Sequence, residues 1–184
     1  MCSLKMEDLT TKFIRIQTCA APAKAAFVVI VRRGTKGKNK VLLQMRSHNN
    51  RHGSNKLGLP GGRRDRKDKE DTKKTAIRET YEETQIQLRR DKTTRLTWFR
   101  GADIYGSVVP SADFEIKGPL PKWKKEIETT YGYHGHRWFE YSIIPDAAGK
   151  KRVWLVLPNS ESPWQIMVDT LNKPEILKYL ENPP

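Results

Sequence analysis

"GLPGGRRDRKDKEDTKKTAIRETYEETQI", Gly58 to Ile86, is the stretch on which the reading of this chain turns. From Gly61 onward it holds seven carboxylates and eight Lys or Arg side chains. Two explanations compete: a solvated surface helix laced with salt bridges, and a site where acids hold divalent metal ions while bases meet phosphates. From about Asp71 to Thr84 there is no Gly or Pro, and Ala76, Ile77, Thr80, Tyr81 and Thr84 recur at helical spacing as one less polar face. Asp68 and Asp71 are candidate caps, since acids at a helix start satisfy free N–H groups and suit the dipole. Glu79, Glu82 and Glu83 stand at i, i+3 and i+4, which predicts three carboxylates on one side of one helix. A surface helix relieves such repulsion with Lys or Arg at the same spacing, yet positions 86 and 87 hold Ile and Gln, with Arg78 adjacent. Hard cations such as Mg²⁺ or Mn²⁺ relieve it directly, because they prefer carboxylate oxygen.

Outward from this stretch, "AAFVVIV" (Ala25 to Val31) and "KVLLQMR" (Lys40 to Arg46) read as strands joined by the turn "RRGTKGKNK", a hairpin signal. Ser47 to Gly62 reads as a loop rich in Gly, Asn, Ser and Pro. Beyond the helix, "RLTWFRGADIYG", "HGHRWFEYSII" and "KRVWLVLP" are strand-like. The last part of the chain predicts a helix with Ile176, Leu177 and Leu180 as its apolar stripe, entered through Pro174. The expectation is an α/β (α+β) fold, one domain over residues 1–184, with an N-terminal extension to about residue 20 and a C-terminal helix over about 174–182.

Gly61-Gly62, Glu70 and then Arg78-Glu79-x-x-Glu82-Glu83 resemble the box of the Nudix hydrolases, in which Gly is followed by five residues, Glu, seven residues and Arg-Glu-x-x-Glu-Glu-x-Gly. Leu59-Pro60 also fits. The match runs from Gly62 to Ile86. Seven residues rather than five separate Gly62 from Glu70, Thr80 replaces a usual aliphatic residue, and Gln85 replaces the box Gly. The resemblance implies a mixed β-sheet sandwiched between helices. It implies hydrolysis of a diphosphate linkage in a nucleoside diphosphate joined to another group, with Mg²⁺ or Mn²⁺ held by Glu79, Glu82 and Glu83 and by the Gly61 carbonyl. Arg78 would then orient the carboxylates. Glu83 is a candidate general base, with Glu70, Glu140 and Glu161 as additional candidate acids. Tyr105 is a candidate for stacking a base, with Trp98, Phe99, Tyr131 and Tyr133 as further options. Arg46 and Arg51 before the box, and Arg63, Arg64, Arg66 and Lys67 within it, are the candidates for phosphate contact. His134 and His136 alternate on a strand without a third ligand and are read as packing or turn residues.

The 35 Lys and Arg against 21 Asp and Glu leave a formal net charge of +14, which attracts polyanions. Basic clusters at "RRGTKGKNK", "RRDRK", "LRRDK", "KWKK" and "GKKR" favour a long polyanion such as the 5′ end of RNA or a dinucleoside polyphosphate. The alternatives are a non-catalytic Nudix-fold protein that binds RNA or a nucleotide, and a coenzyme A diphosphatase, suggested by Arg46-Ser47 ahead of "LPGGRRD". Cys2 and Cys19 stand without paired metal-ligand spacing, so neither a disulfide framework nor a zinc site is expected. With no run long enough to span a bilayer, the expectation is an intracellular, cytoplasmic protein, with nucleus and organelle open and oligomeric state unread.

Overall fold

Strand β1 (Ala25–Arg32) is the centre of the molecule, because its run of Ala, Phe, Val and Ile can be buried on both faces at once. The computed structural model describes residues 23–34, 38–46, 55–110, 136–158 and 162–184. The further strands are β2 (Lys40–Met45), β3 (Leu57–Gly58), β4 (Gly61–Arg63), β5 (Thr94–Phe99), β6 (Ala102–Val109), β7 (His136–Pro145) and β8 (Lys151–Leu155). They form one mixed sheet in the order β5-β6-β1-β2-β7-β8, with β3 beside β2 and β4 beside β1. Three helices complete the described residues: α1 (Thr72–Thr84), α2 (Gln165–Leu171) and α3 (Pro174–Glu181).

Alternation along the strands divides the core in two. Ala26, Val28, Ile30, Leu42 and Tyr105 meet Ala76 of α1 on one face. Val29, Val31, Val41 and Leu43 meet Met167 and Leu171 of α2 and Ile176, Tyr179 and Leu180 of α3 on the other. The sheet is therefore sandwiched between helices, as expected from the resemblance. Each fully buried Val or Ile contributes roughly 2 kcal/mol of transfer free energy. In α3 the buried stripe is Ile176, Tyr179 and Leu180, and Leu177 turns to the half-exposed flank.

The expected hairpin exists, but only its turn end is paired. β1 and β2 meet at Val31↔Val41 and Arg32↔Lys40 and then part. Along the rest of that edge β1 pairs antiparallel with β4, from Ala25↔Arg63 to Phe27↔Gly61, while β3 pairs with the end of β2. The other edge of β1 is taken over its whole length by β6, running parallel. The Gly-rich loop thus lies in a split of the sheet. Gly61 makes this possible: its φ is 136°, and a Cβ there would sit 2.6 Å from the Phe27 Cα.

Helix α1 packs through threonines. Thr72, Thr75, Ala76, Thr80 and Thr84 are buried, whereas Tyr81, expected on the same face, is exposed. Three of the hydroxyls are satisfied: Thr72 by Asp103, Thr75 by Asp68 and Thr84 by the Thr80 carbonyl. Thr80 Oγ1 is buried with no hydrogen-bond partner among the described residues. A methyl group in its place removes that penalty, so Thr80→Val should stabilise the fold by about 1 kcal/mol, read as a higher urea midpoint with unchanged slope. The helix ends on Gln85 at φ 60°, the left-handed conformation that a Gly takes most readily. The Gln85 backbone N–H and its side-chain Nε2 both donate to the Tyr81 carbonyl, at 2.8 and 3.1 Å, which offsets part of the strain.

Candidate functional site

The acids of α1 meet the Gly-rich loop where the sheet splits. The Gly61 N–H donates to Glu83 Oε2 at 2.8 Å, and Gln44 Nε2, from β2, reaches both Glu83 Oε1 at 3.4 Å and the Leu59 carbonyl at 3.3 Å. A Cβ on Gly62 would sit 2.7 Å from Glu79 Cδ, so only glycine lets that carboxylate lie against the loop. Burial raises the Glu79 pKa, the Glu82 charge raises it further, and its bond to Arg78 opposes both.

Arg78 ties the acids together. Its NH1 donates to Glu79 Oε1 at 2.7 Å and to Glu82 Oε2 at 3.0 Å. Its Nε and NH2 grip Asp68, with NH2 to Oδ2 at 2.6 Å. That grip holds the Asp68 carboxyl down to about 2, and the same pairing raises the Arg78 pKa. Asp68 is buried, and Glu70 is exposed on the following turn. The reason is local. The two extra loop residues coil into a 3-10 turn over Arg66–Asp68, in which Asp65 accepts from the Lys67 N–H and Asp68 accepts from the Asp65 N–H. The turn aims Asp68 at α1, and Lys69, at φ 52°, directs the chain outward before Asp71 caps the helix. A signal for Asp68 is present in the sequence: counting forward from Gly62 across five residues reaches it, whereas counting back from Arg78 reaches Glu70.

Among the described residues no three acids are already gathered as a metal cage. Arg78 holds Glu79 and Glu82, and the Gly61 N–H holds Glu83. The donors are carboxylate oxygens on one helical turn beside a backbone loop, which suits a hard divalent cation by chemistry.

Other candidates are scattered. Arg46 is half-buried beside the acids: burial lowers its pKa, Glu83 opposes that, and its Cζ lies 4.4 Å from the Trp164 ring centroid. Arg63, Arg66 and Lys67 are exposed on the loop, with Lys67 Nζ 3.9 Å from Glu82. Arg64 is half-buried, and its NH1 has no hydrogen-bond partner among the described residues. Glu140 does not reach the site. It pairs with Lys40 at 3.5 Å, four positions along β2 from Gln44, which is roughly 13 Å of strand. Tyr105 offers no stacking face: it is 5% exposed beneath α1, and its hydroxyl lies 2.9 Å from Thr72 Oγ1. Trp98 is exposed on β5. Arg51, Glu161, Tyr131, Tyr133 and His134 lie outside the described residues, and His136 opens β7 opposite Gln44. Several bases of the expected basic clusters are spent on acids, Arg89 on Asp91, Arg90 on Asp71, Lys151 on Glu181 and Arg152 on Asp146. Exposed pairs of this kind are worth at most about 1 kcal/mol. No helix among the described residues is long and apolar enough to cross a membrane.

The family model for the NUDIX domain matches residues 22–158. No curated protein matches the chain. Among solved structures, a MutT/nudix family protein from Enterococcus faecalis is similar at TM-score 0.57 and 16% identity, over 95% of this chain and 70% of that one. A C. elegans Ap4A hydrolase is similar at TM-score 0.41 and 24% identity, over 65% of this chain and 81% of that one. A T. brucei MERS1–RNA complex is similar at TM-score 0.47 and 16% identity, over 65% and 52%.

Proposed function

The chain belongs to the NUDIX domain family, and on that premise we propose that it is a divalent-metal-dependent hydrolase of the diphosphate linkage in a nucleoside diphosphate joined to a second group. The observation that carries this reading is the crowding of Glu79, Glu82 and Glu83 onto one helical turn against the glycine loop, with Glu79 half-buried and one guanidinium, Arg78, shared among Glu79, Glu82 and Asp68. Such repulsion is costly unless a cation relieves it.

Glu79, Glu82 and Glu83 are the residues that would hold Mg²⁺ or Mn²⁺, with the Gly61 carbonyl as a further ligand. Bound there, the ion supplies neutralisation of phosphate charge and acidification of water. Arg78 keeps its anchor on Asp68 through Nε and NH2, while NH1 is the arm that meets Glu79 and Glu82. The carboxylates can therefore turn without the guanidinium leaving the site. Glu83 is assigned to accept the proton of the attacking water. The Gly61 N–H donates to its Oε2 and Gln44 Nε2 approaches its Oε1, so the carboxylate is positioned from both sides. Arg46 faces the acids from the end of β2 and would bind phosphate there.

The loop bases are assigned to polyanion attraction rather than chemistry. Replacing Arg63, Arg64, Arg66 and Lys67 by Ser should raise KM by about tenfold and flatten its dependence on salt, with a smaller effect on kcat. An unchanged salt dependence would move that role to bases elsewhere. Purified protein assayed with Mn²⁺ or Mg²⁺ on a panel of nucleotides, dinucleoside polyphosphates and 5′-labelled RNAs tests the activity and ranks its substrates. Tight binding across that panel without turnover would favour a binder that does not cleave.

A further inference from the structure

Past the end of β1, away from the acids, lies an open groove of about 710 Å³ that the hydrolase reading does not use. We infer that this groove is a second anion site, which binds the phosphates of a polyphosphate or of an RNA backbone without cleaving them; it stands independently of the hydrolase reading.

Three separate elements bring positive charge to the groove. Arg33 follows β1, Arg89 follows the buried Leu88 beyond α1, and Lys92 ends the 3-10 turn that leads into β5. No Asp or Glu side chain lines it. Pro184 does, and even with a carboxylate there the three cations keep a positive surplus. Asp91, outside the lining, accepts from Arg89 Nε at 3.2 Å and NH2 at 2.8 Å and attracts Lys92. Arg89 NH1 remains open, as do Nε and NH1 of Arg33, whose NH2 donates to the Pro183 carbonyl at 2.9 Å. Lys92 Nζ donates to no group among the described residues.

The wall between these cations adds donors of its own. β1 pairs with one edge of β6 as far as Val109, whereas β5 reaches only Gly106 on the other. Ser107, Val108 and Val109 therefore line the groove with one strand edge unpaired among the described residues, and such an edge offers backbone N–H groups. Ser107 is only 3% exposed, and its hydroxyl makes no hydrogen bond among the described residues. Guanidinium forks match phosphate oxygens in pairs, and the volume lies in the range of roughly 300–1,000 Å³ that holds a small ligand. The acids are elsewhere: Gly61 pairs with Phe27, and Arg33 stands six residues further on, roughly 20 Å along the strand. No single phosphate can touch both sites.

The test is calorimetric titration of the full chain, without metal, using inorganic tripolyphosphate, a short oligouridylate with a 5′ hydroxyl, and tetraglutamate. Combining Arg33→Gln, Arg89→Gln and Lys92→Gln should weaken one or both phosphate probes by at least about tenfold. Loss confined to tripolyphosphate assigns the site to free polyphosphate. Loss with the oligouridylate, its salt slope reduced by about two, assigns it to an RNA backbone. Gln87→Glu, at an exposed position of the lining, adds a carboxylate without removing a base and should weaken the same probe by at least about threefold. Combining Lys56→Gln, Lys74→Gln and Lys150→Gln at exposed positions outside the lining removes the same net charge and should change binding by less than about twofold. Equal loss in that control would overturn the site, as would unchanged binding in both groove variants, or tetraglutamate binding as tightly as the phosphate probes. Turnover of the best small substrate with Mn²⁺ should stay within about twofold in the groove variants, and a fall beyond about tenfold would overturn the separation from the acids. Because the titrations need no turnover, an inactive parent protein would sink the hydrolase reading and leave the groove assignment to stand or fall on binding.

Discussion

Glu83→Gln is expected to lower hydrolysis by roughly 100- to 1000-fold and to leave the fold intact. The substitution removes a charge and a proton acceptor but keeps the shape, and the amide oxygen can still accept from the Gly61 N–H, whose bond to Glu83 is 2.8 Å. Melting temperature should therefore barely move. Glu82→Gln should act in the same direction through the metal alone, since Glu82 is half-exposed and contributes little to packing. The double variant should show no turnover above background. Turnover of any substrate at the parent rate by the double variant, at saturating Mg²⁺, would show that these carboxylates hold no essential metal.

Asp68→Asn should cost about 3 kcal/mol of stability and lower hydrolysis by about tenfold, whereas Glu70→Gln should change either by little. Asp68 is buried and takes three hydrogen-bond contacts from Arg78, so an amide there leaves a largely enclosed guanidinium without its main counter-charge. Glu79 and Glu82 would then draw Arg78 toward themselves, leaving it less well placed to orient the carboxylates. The same pair predicts an acid-linked loss of stability. Because the folded Asp68 pKa lies at about 2, below its ordinary value of 3.8, its stabilisation is complete above that ordinary value and is lost as pH falls through about 2. Glu79 works in the opposite sense. Its pKa is raised on folding, so its favourable share is present below its ordinary value of 4.5 and is lost as pH rises through the raised one. Urea midpoints taken from pH 5 to pH 2 should therefore show a fall near the acid end in the parent that Asp68→Asn lacks. Equal stability of Asp68→Asn and Glu70→Gln would remove Asp68 from its anchoring role.

The local features of this protein were legible in its sequence because they depend on period and spacing. The β-branched run of β1, the cap at Asp71, the helix to Thr84 and the three glutamates on one turn are set by contacts within a few residues, and the box around them resembled one family closely enough to imply the sandwich. Charge balance likewise pointed to a phosphate-bearing partner without naming it. Tertiary structure decided what depends on distant neighbours. The split between β1 and β2 exists because β4 claims that edge of β1 while the parallel β6 fills the other, and strand pairing across 34 to 77 positions leaves no periodic trace. The exchange of Glu70 for Asp68 follows from how an insertion coils against α1, which spacing counted along the chain does not specify. Tyr105 reads as a candidate for stacking a base until α1 covers it, and Glu140 as a candidate acid until the register of β7 on β2 sets it opposite Lys40. The meeting of Arg46 with Trp164, more than a hundred residues apart, brings the end of β2 against the entry to α2. Helical and strand periods are properties of the local backbone, whereas the pairing of edges and the facing of side chains across a core are settled only when the whole chain packs.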